Sequence, residues 1–413
     1  MMRKDPDLFP VKKEGVFLAH CAVSPLPKPA RDALTEVADS QMRLGGFGLA
    51  PYRKILEDLR TAAAELFSTD PDNVAFVKNT SEAMGMIANG YPFREGDEIL
   101  SYVHEYPANH YPWRLQEKRG VRLVLLPDRP VAAQPTQGLP CGWSMDDVRR
   151  LTSDRTRLIA ISHVQFTSGY AADLEELGRF CRERGIDLVV DAAQSLGSLT
   201  IEPDRCHIAA IAASGWKWLF GPTGTGLFYT SREFRQKLGD VLVGAEGMIQ
   251  GDDYLNHTWQ PHPSARRFEY STSPTALAAA LKASLRAAIL PVGLYNIQEE
   301  IFRLQDRILE NLDPERYKPV VFARANRSGI LSVICRYDPE TIMKEAARRG
   351  VFVSARSGYL RLAPHWCTSD EEVHRAVSVL NNLGRCAPAW EKCPAWCGTG
   401  CPPRPAPNRN IQP

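Results

Sequence analysis

The sequence predicts an α/β protein, with a large domain built on a mainly parallel sheet between two layers of helices and a smaller α+β domain towards the C-terminal end. Three observations predict it. From about residue 16 to 230, short apolar runs alternate with longer amphipathic stretches, the pattern of strands joined by helical crossovers in a sheet covered on both faces. The chain has 413 residues, more than one hydrophobic core usually organises, so two domains are expected. Pro291 and Gly293 break an Ala/Leu-rich helical stretch, and the pattern beyond them is of a different kind.

The elements follow in order. Residues 1–15 read as an N-terminal segment, basic but with no apolar run behind the charges, and so not as a secretion signal. The large domain is expected at 16–290. Strands are predicted at 74–77, 98–102, 121–126, 157–162, 187–190 and 226–229, with helices at 51–67, 81–89, 109–118, 145–151 and 172–184. Residues 127–142 hold four prolines and read as a surface loop. An Ala/Leu-rich helix at 275–290 closes this part. The small domain, 291–385, is expected to contain a helix at 294–312, a strand at 330–335, a helix at 339–349, a strand pair at 352–354 and 359–362, and a last helix at 369–383. Beyond it, 386–413 is rich in Pro and Cys and is expected to be a disordered tail without a core of its own.

Composition narrows the function classes. Apolar residues make up 44% of the chain and charged residues 24%, with a formal net charge of +2. Those values fit a soluble globular protein and give no reason to expect nucleic acid or a membrane surface as partner. No apolar run reaches the roughly 18 residues of a membrane-spanning helix, and a cytoplasmic location is the expectation. Six of the ten cysteines are scattered, as reduced, half-buried cysteines usually are. The other four, Cys386, Cys393, Cys397 and Cys401, lie at spacings of six, three and three residues. Four thiolates could bind zinc, but the CxxC pairs of common zinc sites are absent and no metal is expected.

Four stretches carry candidate chemistry. In Ser214-Gly215-Trp216-Lys217-Trp218 a lysine stands between two tryptophans. If the rings pack inward, desolvation lowers the lysine pKa and frees the amine for imine formation; a surface lysine lying on aromatics reads equally well. The glycine-rich run at 221–226 follows the lysine and contains Pro222, so it does not read as a dinucleotide fingerprint. In Val189-Val190-Asp191-Ala192-Ala193-Gln194 a carboxylate ends an apolar strand, where open α/β sheets place ligand groups. A pyridine nitrogen against such a carboxylate stays protonated and the ring can accept electrons, although an N-capping Asp is common there too. Asn79-Thr80-Ser81-Glu82 lies between a strand and a helix, as a phosphate site or as an ordinary cap. In Glu105-Tyr106-Pro107-Ala108-Asn109, Tyr106 could stack on a planar ring or fill the core.

Taken together and in order, these residues resemble the class V aminotransferase family of fold-type I pyridoxal-phosphate (PLP) enzymes, which includes cysteine desulfurases, isopenicillin N epimerase-like proteins and kynureninase. The resemblance spans roughly residues 15–384. It rests on LAHCAVSPLP at 18–27, NTSEAM at 79–84, EYPANHYPW at 105–113, SHVQFTSG at 162–169, VVDAAQSLG at 189–197, SGWKWLFGPTGTG at 214–226, RRFEYSTSP at 266–274 and LRLAPHWCTSDEEV at 360–373. It implies that Lys217 carries PLP as a Schiff base and shuttles the proton at the substrate Cα. Asp191 then faces the pyridine nitrogen, Gln194 bonds the ring hydroxyl, Tyr106 stacks on the ring, and Thr80, Ser81 and Ser214 hold the phosphate. Thr272 joins that phosphate from the second subunit of a homodimer. Arg361 takes the substrate carboxylate, where a planar fork suits a bidentate contact. Arg356, His20 and Asn109 are further substrate-binding candidates.

The chain departs from the family pattern in three places. Trp216 stands where many relatives have a histidine, and its N–H donates but cannot titrate. Phe166 stands where desulfurases place an Asn near the ring hydroxyl. Desulfurases also carry a nucleophilic cysteine on a loop just before the carboxylate-binding arginine, whereas here Ser354-Ala-Arg-Ser-Gly-Tyr-Leu-Arg361 runs straight through. The expected activity is PLP chemistry at the α carbon of a small amino acid, by transamination or C–S/β-elimination. The alternatives are epimerisation and a non-catalytic PLP-binding protein.

Overall fold

The computed structural model describes residues 4–383. The tail reading, including its four cysteines, lies outside the described residues. Strand β1 (Val16–Phe17) precedes the main sheet. That sheet is built from β2 (Val74–Val77), β3 (Glu98–Tyr102), β4 (Arg122–Leu126), β5 (Thr156–Ser162), β6 (Asp187–Asp191), β7 (Ala210–Ser214) and β8 (Gly226–Thr230). Their spatial order is β2-β8-β7-β6-β5-β3-β4, with β8 antiparallel to both neighbours and the remaining pairs parallel. Every residue of β2, β3, β7 and β8 is buried, as a sheet covered on both faces requires. One apolar cluster lies under each face.

A second, four-stranded antiparallel sheet has the order β12-β13-β10-β9, from β9 (Tyr317–Pro319), β10 (Leu331–Cys335), β12 (Ser354–Arg356) and β13 (Tyr359–Leu362). Its own apolar cluster includes Leu331, Val333, Leu360 and Leu362, with residues of helices Leu294–Asn311, Pro339–Arg348 and Asp370–Asn382. The start of the chain is stitched to this unit. Strand β1 pairs in parallel with β11 (Val351–Phe352), Ala19 bridges Ala363, and Phe9 packs on Phe220 and Trp366.

Several elements differ from the sequence expectation. β7 was not expected: Ala210-Ile-Ala-Ala-Ser214 is poor in β-branched residues, and burial between β6 and β8 makes it a strand. Helix Lys28–Leu44 was also unexpected, although Ala30, Ala33, Leu34, Val37 and Ala38 recur along it at helical spacing; of these only Ala30 and Val37 are buried. The single helix predicted at 109–118 is three short pieces, Pro107–Asn109, Tyr111–Leu115 and Gln116–Arg119, set off by Pro107 and Pro112. The predicted strand pair at 352–354 and 359–362 shifts. Phe352 belongs to β11, and the hairpin partner of β13 is Ser354–Arg356. Among the described residues no single helix is long and apolar enough to cross a membrane.

Candidate active site

A cleft of about 360 Å³ opens where β2, β3, β5, β6 and β7 end, the edge of an open parallel sheet where ligands bind. It is lined by Asn79, Thr80, Ser81, Tyr106, Ser162, Phe166, Asp191, Gln194, Ser214, Trp216 and Lys217, among others. A wider hollow of about 610 Å³ lies elsewhere, beside Asp173, Arg205, Arg324 and Arg327. All three of its arginines are spent on carboxylates, so it presents no unpaired cation among the described residues.

Each side chain of the cleft is placed by a strand end. After β2, the Asn79 side chain accepts the Glu82 N–H and starts helix Thr80–Gly90. The Thr80 and Ser81 hydroxyls therefore stand at a helix N-terminus, which favours an anion. Thr80 Oγ1 lies 2.9 Å from Ser214 Oγ at the end of β7. Asp191 ends β6, buried, with one backbone bond from Ala193 N at 2.9 Å and no salt bridge among the described residues. Burial raises its pKa, against the Ala193 N–H and the charge of Lys217. Lys217 has no side-chain hydrogen bond among the described residues, and its Nζ stands 5.5 Å from the centre of the Tyr106 ring, over the face. Desolvation lowers its pKa, Asp191 opposes that shift, and Arg361 and Arg356 add to it. Both flanking tryptophans do pack inward. Trp218 is fully buried, and Trp216 is half-buried in the cleft wall.

Arg361, on β13, lies behind the cleft wall rather than in its lining, close enough for its charge to act on Lys217. Its NH1 donates to Phe166 O at 2.5 Å and its Nε to Ser354 Oγ at 3.2 Å. It is buried yet has no carboxylate partner among the described residues. Arg356, at the end of β12, is exposed. Gln194 is held by both ends of its amide: Nε2 donates to Cys21 O at 2.9 Å and Oε1 accepts from Trp218 Nε1 at 3.1 Å. One amide N–H remains for a ligand.

Three further candidates also lie outside the cleft lining. His20 is buried among Phe17, Trp218, Phe220 and His365, with Nδ1 3.0 Å from Ser24 Oγ, and burial holds its pKa well below the usual value. Asn109 is buried and accepts the Trp113 indole N–H, because the 3-10 turn rotates it inward while Ala108 faces the cleft. Thr272 is exposed, away from the cleft of its own chain, beside Lys78 and Tyr270.

Sequence reasoning assigned no role to Glu105, Ser162 or Ser354. Glu105 is buried below the cleft. It accepts from Ser162 N at 2.8 Å and Gln165 Nε2 at 3.1 Å, and it also bonds the Ser162 hydroxyl. Burial pushes its carboxyl up to about 7 against these bonds. Its place directly after β3, on the same edge as Asp191, was the available signal.

The family model described as "Aminotransferase class-V" matches residues 30–367. The chain belongs to the class V aminotransferase family. A probable cysteine desulfurase of Pyrococcus abyssi is 30% identical over 324 residues, 76% of this chain and 75% of that one. The cysteine desulfurase of Thermococcus onnurineus NA1, solved in its apo form, superposes with a TM-score of 0.80 at 25% identity, covering 93% of this chain and 98% of that one. The cystine C–S lyase C-DES, in complex with cysteine persulfide, shares the fold with a TM-score of 0.82 at 21% identity, over 91% and 99% of the two chains. The chain is a PLP-dependent enzyme of this family. Its cleft fits the cofactor on its own geometry. A buried carboxylate lacks a cation in contact, an amine lacks a partner, and a pair of hydroxyls marks a helix N-terminus.

Proposed function

We propose that this class V enzyme is a C–S lyase that eliminates sulfur from Cβ of a cysteine-like amino acid without storing it on a protein thiol. The observation that carries the reading is the hairpin before Arg361. Where desulfurases are expected to carry a cysteine on a loop, Arg356 and Tyr359 pair directly across a two-residue turn. Both turn residues have positive φ, 48° at Ser357 and 86° at Gly358, the geometry of a tight hairpin. The turn leaves no room for a mobile loop. Cys367, past Arg361, is buried in the core with its thiol pushed up to about 12, so it is not the missing nucleophile.

PLP supplies an electron sink for the substrate Cα. Lys217 would hold it, and its Nζ would take the Cα proton of the substrate. Desolvation suits the amine to that task by favouring its neutral form. Asp191 would keep the pyridine nitrogen protonated, Tyr106 would offer its ring face, and the spare Gln194 N–H would serve the ring hydroxyl. Thr80, Ser81 and Ser214 hold the phosphate. Arg361 grips the substrate carboxylate and turns the Cα–H towards Lys217. The overall reaction would convert the amino acid and one water into a thiol, pyruvate and ammonia, with Lys217 Nζ positioned to take the Cα proton and return a proton to the departing sulfur. Of the two residues that could serve as a second acid–base group for epimerisation, His20 is walled off from the cleft, while Tyr106 lines it.

A homodimer belongs to the same proposal. Phe47 is 87% and Leu255 91% exposed, and Thr272, outside the lining of its own cleft, serves the phosphate of a second copy. Sedimentation of the purified enzyme reads this directly.

The test is the visible spectrum of the purified protein, before and after borohydride, beside Lys217→Ala. A yellow band that borohydride abolishes and the variant lacks is expected. With L-cystine or L-cysteine, pyruvate and ammonia should then form in equal amounts. Keto acid without ammonia would make the enzyme a transaminase, and sulfur retained on the protein would restore a thiol-acceptor mechanism, with Cys21 beside Ser354 as the thiol to examine.

A further inference from the structure

The hairpin β12–β13 carries more positive charge on its cleft side than one carboxylate needs. Its register pairs Ser354 with Arg361 and Arg356 with Tyr359. Directly opposite residues share a face, so Ser354, Arg356, Tyr359 and Arg361 all project from one side. The other side, with Leu360 and Leu362, is buried in the small sheet's core. Three of the four residues on the shared face are pinned to the large sheet's end of the molecule. Arg361 donates to Phe166 O, Tyr359 OH donates to Pro140 O at 2.9 Å, and Ser354 Oγ lies 3.3 Å from Cys21 Sγ.

Arg356 is the exception. It is exposed and has no hydrogen-bond or salt-bridge partner among the described residues. Its backbone is nevertheless fixed, because the Ser357–Gly358 turn is tight and packed. A Cβ at Gly358 would come within 2.7 Å of Leu139 Cδ2. The Arg356 backbone is thus fixed on the face that carries Arg361, near enough to the cleft for its charge to act on Lys217. Diagonal neighbours on an antiparallel pair are roughly 7–8 Å apart, a span that one small molecule with two anionic ends can bridge. Asp191 is the one carboxylate in the cleft lining, and it lies at the floor end. An anion at the rim would meet no like charge from those residues.

We propose that Arg356 is a specificity residue, and that the substrate of the proposed lyase is a cysteine conjugate whose sulfur substituent ends in a carboxylate or similar oxyanion. This rests on the lyase reading above. Arg361 fixes the α-carboxylate and Arg356 receives the distal anion, so the substrate is stretched along the hairpin with its Cβ–S bond between them. The distal anion leaves with the sulfur, and no new redox or covalent step is involved.

The experiment compares an acid with its neutral isostere on the PLP-loaded enzyme: S-carboxymethyl-L-cysteine against S-carbamoylmethyl-L-cysteine, with S-methyl-L-cysteine alongside. Spectral titration gives affinity and pyruvate release gives kcat/KM. A charge-assisted contact at a solvated rim is expected to favour the acid about tenfold. In Arg356→Gln the acid-to-amide ratio should fall to about one, and in the wild type the preference should shrink as salt is raised. Equal affinity for acid and amide in the wild type overturns the proposal, as does a preference that survives Arg356→Gln. If none of the three compounds yields pyruvate while L-cystine or L-cysteine does, this proposal fails and the lyase reading stands; if L-cystine and L-cysteine are inert as well, the lyase reading itself fails.

Discussion

At the floor of the cleft, the ends of five strands from one sheet present Thr80, Tyr106, Ser162, Asp191 and Ser214, and a loop from β7 adds Lys217. Most of these groups are tied to one another or to the backbone within hydrogen-bond distance. At the wall, two strands of a different sheet present Arg361 and Arg356, and the hairpin is tied to the large sheet's end of the molecule through Phe166, Pro140 and Cys21. The floor is a rigid, buried arrangement suited to a cofactor, with positions set by a single hydrogen-bonded ladder. The wall combines one buried and one exposed guanidinium, and its position depends on packing across an interface. Cofactor binding and substrate choice should therefore respond to different substitutions.

The largest separation is expected from Glu105, below the floor. Its carboxyl sits at about 7, raised chiefly by burial, lowered by the bonds from Ser162 and Gln165 and raised further by Asp191. A carboxyl whose folded value exceeds its unfolded one contributes stability that is complete below the unfolded value, about 4.5. That contribution is lost as pH rises through the folded one. At 1.36 kcal/mol per pH unit the loss is roughly 3 kcal/mol between pH 4.5 and 7. Denaturant unfolding at pH 5 and pH 8 should show the wild type losing about that much relative to Glu105→Gln. Parallel behaviour of the two proteins would mean that the carboxyl ionises normally and that the floor is wetter than its burial implies.

On the wall, Arg361→Lys keeps the charge and removes the fork. The cost expected is about 2 kcal/mol of substrate binding, roughly a thirtyfold rise in KM, with PLP affinity unchanged. Spectral titration with PLP and steady-state kinetics read the two separately. If PLP affinity fell in step with KM, the division between floor and wall would be wrong.

That division also explains what the sequence disclosed. Asp191 and Thr80 were legible because each follows an apolar run at a strand end, a local pattern. β7 escaped notice because Ala210-Ile-Ala-Ala becomes a strand only through burial between its neighbours. His20 and Asn109 were placed near the substrate by their position beside the right motifs. Which way a side chain faces, however, is decided by packing: an aromatic cluster encloses His20, and a 3-10 turn directs Asn109 to Trp113. The wall was least legible. Phe352 and Ser354 stand two residues apart yet pair with different strands, one in parallel with Val16–Phe17 and one across the hairpin. No local pattern reports such long-range pairing. The proline-rich stretch at 127–142 read as a surface loop, but its Pro140 carbonyl and Leu139 side chain brace the hairpin.

That brace gives the smallest effect. Tyr359 OH donates to Pro140 O at 2.9 Å, and its ring packs in a small apolar cluster with Val320 and Ile334, against which Leu139 rests. Tyr359→Phe keeps the ring and deletes one bond, worth about 1 kcal/mol. The Pro140 carbonyl is only partly buried and can turn to water, so stability should fall by no more than that. The hairpin, however, loses one of its three ties to the large sheet's end of the molecule, and Arg361 and Arg356 move with it. The expected result is a two- to fivefold rise in KM for amino-acid substrates, with PLP affinity unchanged. A change in PLP affinity instead of KM would show that the loop and hairpin support the floor, and that the two regions are mechanically one.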